Sequence, residues 1–110
     1  MIEINSLKFL YCKSREASAM GFISENGFTV LKDSKVSYNI VPSFSKHNPG
    51  YYNLRIKLEN NGIIFSGTFQ NDYEFSAPSA ASSVVLGRSS NGRIDWKDEN
   101  GRILRELIED

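Results

Sequence analysis

Between Phe75 and Trp96 the chain carries a helix-length run built from small side chains, and that run restricts the fold more than any other part of the sequence. It reads Phe-Ser-Ala-Pro-Ser-Ala-Ala-Ser-Ser-Val-Val-Leu-Gly-Arg-Ser-Ser-Asn-Gly-Arg-Ile-Asp-Trp. Ser76 has the side chain of a good N-cap, and Pro78 suits a first helical turn, where a missing N–H costs nothing. Ala77, Ala80, Ala81, Val84 and Val85 then fall on one face of a helix over about Ala77–Leu86. Alanine in place of leucine predicts a helix lying close against a sheet. Ser79, Ser82 and Ser83 form a second face of small side chains. Gly87 is placed to end the helix in the left-handed conformation. Ser89-Ser90-Asn91-Gly92 predicts a tight turn, with Asn91 and Gly92 both tolerant of positive φ. Ile94 and Trp96 alternate as in a short strand, with Trp96 read as a core anchor rather than a stacking platform.

A chain of 110 residues suits one domain, taken as 1–110, with a modest core. Acidic and basic residues balance at 13 each, which disfavours a binder dominated by electrostatics but leaves room for a local basic patch. Cys12 is the single cysteine, so no intrachain disulfide or cysteine metal cluster can form. No apolar run approaches the ~20 residues that span a bilayer, and the N-terminus lacks a signal-peptide pattern. A cytoplasmic protein without a membrane segment is the expectation.

The rest of the chain is read from local chemistry. Leu7–Cys12 predicts a first strand, and Lys13–Ala17 a loop. Ala19–Ile23 and Phe28–Leu31, separated by Ser24-Glu25-Asn26-Gly27, predict a β-hairpin. Val36–Val41 is compatible with either element type. Pro42–Gly50, with two prolines and several turn formers, reads as a loop and as the chain's most mobile region. In Tyr51–Asn60, Leu54 and Leu58 and the Asn60-Asn61-Gly62 ending point to helix, while Arg55-Ile56-Lys57 alternation points to strand; helix is favoured. Ile63–Phe65 and Thr68–Phe75 predict a second hairpin, with turns near Ser66-Gly67 and Asn71-Asp72. Lys97–Gly101 is a polar turn, and Arg102–Ile108 a closing helix with Ile103, Leu104, Leu107 and Ile108 on one side. The sum is an α+β fold, antiparallel hairpins forming a sheet with two or three short helices packed on it.

Candidate chemistry is sparse. His47 is the only histidine, so a two-histidine metal site is impossible within one chain and a Ser-His-Asp triad would have to use it; nothing marks a nucleophile, and it reads as a solvated loop residue. No nucleophile elbow or phosphate-binding glycine pattern is present. Asp95, Asp98 and Glu99 sit close in a polar turn, where carboxylates are more often solvated than cation-bound. No catalytic residue, metal ligand or cofactor is expected. The one local cluster of donors is Arg88, Ser89, Ser90, Asn91 and Arg93. After a helix C-terminus a cation is favoured by the helix dipole alone. The same group also offers hydroxyl, amide and guanidinium donors suited to phosphate oxygens or base edges. Lys32, Lys35, Arg55 and Lys57 either extend that surface or, with acids alternating elsewhere, form a plain solvated face.

These residues also carry a resemblance. Ser-Ala-Pro-Ser-Ala-Ala, Val-Val-Leu-Gly-Arg-Ser-Ser-Asn-Gly, Trp96-Lys97-Asp98 and Gly101 with Leu104, together with Phe28–Ser34 upstream, resemble a bacterial domain family of unknown function. That family is found C-terminal to GIY-YIG nuclease domains and in restriction–modification proteins, and it is similar to the restriction-enzyme adenine-methylase-associated domain. The resemblance covers about residues 22–107. The family commonly has glycine where Asp33 stands and an aromatic where Arg93 stands. The resemblance implies a non-catalytic accessory domain of DNA-processing or restriction-type proteins that binds nucleic acid or recognises a target. DNA, or a nuclease or methyltransferase domain, would be its partner. The alternative is a structural module that docks on a catalytic neighbour.

Overall fold

The computed structural model describes residues 9–108. In chain order the elements are β1 (Leu10–Lys13), β2 (Ser18–Ser24), β3 (Gly27–Val30), α1 (Pro42–His47), α2 (Pro49–Asn60), β4 (Ile64–Phe65), β5 (Thr68–Phe69), β6 (Tyr73–Phe75), α3 (Pro78–Leu86), α4 (Gly92–Asp95) and α5 (Leu104–Ile108). The α+β expectation holds. Of the expected first strand, Leu7 and Lys8 lie outside the described residues.

Period-two alternation builds the main sheet, of order β1-β2-β3-β6 and antiparallel throughout. Leu10, Cys12, Ala19, Phe28, Val30 and Phe75 turn inward and are buried. Their neighbours Tyr11, Met20, Phe22 and Thr29 face the other way and are only half-buried. The first hairpin is as expected, but Glu25 and Asn26 make its turn and Gly27 opens β3, paired with Ser24. Gly27 is there for space: a Cβ would sit 1.9 Å from the Phe75 carbonyl oxygen of the adjoining β6. The edge strand β1 is covered by the returning chain, with Tyr11 N–H donating to Lys97 O at 2.7 Å and Lys97 N–H to Tyr11 O at 2.9 Å.

Helix α3 lies on the inner face against β3 and β6, with α2 and α4 packed on its other sides. Every residue from Ala80 to Leu86 is buried. Surrounded on all sides, the helix has room only for small side chains, which is why its serine face is as deep as its alanine and valine face. Trp96 fills the space beyond β3: it is 0% exposed, its ring centroid 4.4 Å from that of Phe28, and its Nε1–H donates to Pro78 O at 3.0 Å. Leu104 and Leu107 of α5 close this end of the core, while Ile108 stays exposed.

Several expectations are corrected. The α3 N-cap is Ala77, in extended backbone and without a side-chain cap, not Ser76; Pro78 occupies the first helical position and so sets the start. Pro42–Gly50 is not a loop. Pro42 and Pro49 each open a helix, and buried Phe44, edge-on to Tyr52 at 6.0 Å, holds the two helices together. His47 therefore sits in the last turn of a helix, although it is exposed as expected. Tyr51–Asn60 is helix, within α2. Of the second hairpin, β4 and β5 pair around Ser66-Gly67, but β6 leaves it and joins the main sheet beside β3. Residues 94–96 form no strand, because Gly92–Asp95 is a short helix.

Candidate nucleic-acid interface

The candidate residues follow the end of α3. Gly87 takes φ +69° and stops the helix, as the sequence predicts, with its N–H donating to Ser83 O. Residues 39–41 run directly against it: Val41 N–H donates to Gly87 O at 3.0 Å, and a Cβ on Gly87 would sit 2.8 Å from Asn39 O. Arg88 emerges from this crossing 46% exposed. Its Nη1 donates to Ser89 O at 3.2 Å and lies 3.7 Å from the Asp95 carboxylate, a loose pair that leaves the guanidinium open to solvent.

Beyond Arg88 the serine face of α3 acts as a rail to which the loop is tied. Ser90 N–H donates to Ser83 Oγ at 3.1 Å, and Gly92 N–H to Ser79 Oγ at 2.9 Å. Ser90 Oγ donates to Asp95 Oδ2 at 2.5 Å and shares a 2.7 Å hydrogen bond with Ser82 Oγ. Gly92 is pressed so close that a Cβ would lie 2.3 Å from the carbonyl carbon of Pro78. Neither Asn91 nor Gly92 adopts positive φ. Asn91 is instead the N-cap of α4, its Oδ1 accepting from Arg93 N–H at 3.0 Å. The chemistry that makes asparagine a turn residue makes it an equally good cap.

The five candidates thus divide by role. Ser90 is committed to internal hydrogen bonds, and one end of the Asn91 amide is occupied. Arg88, Ser89 and Arg93 are exposed. Sequence reasoning missed a neighbour: Asn48 Nδ2 donates to Ser89 Oγ at 3.5 Å, which brings the α1–α2 junction, preceded by exposed Lys46 and His47, against this loop. The readable signal was the pair of prolines, each a helix start, with basic residues in the turn between them.

Arg55 does not extend the surface. It is 2% exposed, and its guanidinium donates to Ser37 O at 2.7 Å, Val84 O at 2.9 Å and Glu59 Oε2 at 3.0 Å. Lys35 belongs to the bridge linking Ser18 with Thr68. The carboxylates weighed as a cation site are also engaged: Asp95 holds Ser90, and Asp98 Oδ1 accepts from the N–H groups of Asn100 and Arg102 at 2.9 and 2.8 Å. They line a cavity of about 430 Å³ together with Lys13 and Lys97. No group of three metal-ligating side chains converges among the described residues. Burial pushes the Cys12 thiol up to about 12, so it is no nucleophile near neutral pH.

The fold and this loop define a small α+β domain that holds a hydrogen-bonded turn with two exposed arginines after the end of a buried helix. The chain matches the model of the family described as a domain of unknown function, DUF4357, over residues 10–108, and it belongs to that family. Comparison with curated proteins and with solved structures returns no match. Among the described residues, no helix is long and apolar enough to cross a membrane.

Proposed function

We propose that this is a non-catalytic accessory domain that binds the phosphate backbone of nucleic acid through Arg88 and Arg93, serving target recognition beside a nuclease or methyltransferase, as its resemblance to restriction-associated domains implies. One observation carries the reading: the N–H groups of Ser90 and Gly92 are tied to serines of α3 and that of Arg93 to the α4 cap, so Arg88 and Arg93, both exposed, flank a hydrogen-bonded turn. A backbone already ordered in this way loses little freedom when its side chains meet a phosphate oxygen. Exposed Lys46, two residues before the Asn48–Ser89 contact, adds a further cation near the loop. Asn91 Oδ1 accepts from the Arg93 N–H and keeps a second lone pair, so the exposed amide can still meet a base edge, as expected from the sequence. The arginines would position the strand, and Asn91 would contribute to reading it.

The test is titration of labelled duplexes, methylated and unmethylated, over a range of salt. With about two phosphates neutralised, log K against log[salt] should fall with a slope near −2. The double substitution Arg88→Ala/Arg93→Ala should flatten that slope while leaving the fold intact. A second reading, docking on a catalytic neighbour, has its own support in the sheet face turned away from α3. That face presents Phe9 and Phe22, edge-on at 6.2 Å, with Tyr11 and Met20 beside them, none of them buried. If no duplex or single strand binds at low salt, docking becomes the better account.

A further inference from the structure

A second surface carries two large aromatic side chains that the core does not use. Tyr38 is 71% exposed and Phe65 67% exposed. Both line a cavity of about 360 Å³ whose other walls include Ile40, Ile64 and Gly67, with the Arg55–Glu59 pair also lining it.

Tyr38 is exposed yet held. Its hydroxyl donates to Ser66 O at 3.0 Å, and its ring lies over Gly67, where a Cβ would be 3.1 Å from Cζ. The turn beneath it is tight, with Ser66 at φ +50° and Gly67 at φ +75°. An aromatic ring fixed at one face and wet at the other is a platform for stacking. The charge of the cavity decides what stacks there. Arg55 Nε sits 3.0 Å from Glu59 Oε2, so the carboxylate is already neutralised and a second cation gains little. A neutral, planar ring whose edge can donate a hydrogen bond to Glu59 fits better. Ile40 ties the two surfaces together, because it lines the cavity and packs against Gly87, the residue before Arg88.

We propose that the Tyr38–Phe65 cavity receives one unstacked nucleobase bearing an exocyclic amino group, adenine, cytosine or guanine, in preference to thymine, from a strand whose phosphates meet Arg88. This rests on the nucleic-acid reading above. Stacking comes from the aromatic pair, and the amino group donates to the Glu59 carboxylate.

The experiment has two arms. In the first, amide NMR spectra of the full chain are recorded with adenosine, cytidine or thymidine, and separately with N-acetyl-arginine amide. Shifts centred on Glu59, Ser66 and Gly67, larger with adenosine and cytidine than with thymidine, are expected. Equal shifts with thymidine, or shifts with the arginine derivative alone, would overturn the assignment, the latter in favour of a peptide ligand. In the second arm, dA, dC and dT oligonucleotides are titrated against wild type, Phe65→Ala and Tyr38→Ala. Each substitution should weaken dA and dC binding roughly tenfold and leave the salt slope unchanged, because no ion contact is lost. Both side chains are exposed, and Trp96 emission reports whether the core survives. Oligonucleotide binding that depends on Arg88 and Arg93 but not on Tyr38 or Phe65 removes the cavity and keeps the phosphate site. Nucleoside shifts without oligonucleotide binding keep the cavity and remove the phosphate site.

Discussion

Arg55 Nη1 donates to the carbonyl oxygen of Val84 at 2.9 Å, so the last turn of α3 is capped by a side chain from α2. The final carbonyls of a helix have no partner within it. Here Ser83 O takes the Gly87 N–H, Val84 O takes Arg55, and Val85 O takes the Ser37 N–H at 2.8 Å. A guanidinium at the negative end of a helix is also favoured by the dipole. The same group holds Ser37 O, so one buried cation joins α2, α3 and the segment leading to Asn39.

Substitution of Arg55 should therefore be severe. Arg55→Ala leaves buried carbonyls without donors and opens a cavity, and a loss of about 3–5 kcal/mol is expected in urea unfolding. Arg55→Lys should recover only part of it, because an ammonium cannot reproduce the planar fork that reaches Val84, Ser37 and Glu59 together. Full recovery by lysine would mean that charge alone matters at this position.

Trp96 is the largest fully buried side chain, its ring tilted 35° to that of Phe28 and its indole N–H bonded to Pro78 O. Native emission should be blue-shifted and move to the red on unfolding. Trp96→Ala should destabilise by about 3–5 kcal/mol, enough to unfold a marginally stable domain. Emission like that of free tryptophan in the native state would contradict this packing.

Two glycines should respond in opposite directions. Gly92→Ala places a Cβ 2.3 Å from the backbone of Pro78 and should lower stability by more than 1 kcal/mol, prising the candidate loop off α3. Gly50, in the first turn of α2, has nothing within 4 Å of a built Cβ, so Gly50→Ala should raise stability by about 0.4–1 kcal/mol. Melting midpoints of the two variants check both signs.

Glu16 gives a pH signature. Its carboxylate accepts from Ser37 Oγ at 2.6 Å and from Asn39 N and Nδ2 at 3.3 and 2.8 Å. The Ser37 hydrogen bond first, then those from Asn39, hold its carboxyl below the ordinary value of 4.5. A depressed folded value means that the contribution is complete above the unfolded pKa and is lost as pH falls through the folded one. The melting midpoints of wild type and Glu16→Gln should accordingly differ near neutral pH and converge in acid. A constant gap down to about pH 3 would show that the carboxylate's charge is not the cause.

Asp33 shows how far local chemistry can be read. The backbone there is left-handed, with φ +75°. Aspartate tolerates that region at a cost that glycine avoids. Asp33→Gly should therefore be neutral or stabilising by up to about 1 kcal/mol, measured as a shift in the urea midpoint.

What the amino-acid sequence determined by itself is what neighbouring residues settle among themselves. The small-residue helix ending at Gly87, the hairpin through Glu25-Asn26, the turn at Ser66-Gly67 and the α+β class all follow from spacing, caps and backbone freedom within a few positions. The tertiary structure decided the rest, because those outcomes depend on groups distant in sequence. Two prolines in Pro42–Gly50 suit a loop or two helix starts equally well, and buried Phe44 against Tyr52 selects the helices. Ser90 and Asn91 look like free donors until the rail of Ser79, Ser82 and Ser83 is seen to engage the loop they belong to. Arg55 looks like surface charge until the open end of α3 lies beside it. A cation is buried where unpaired carbonyls from other elements converge, and only the folded chain brings them together.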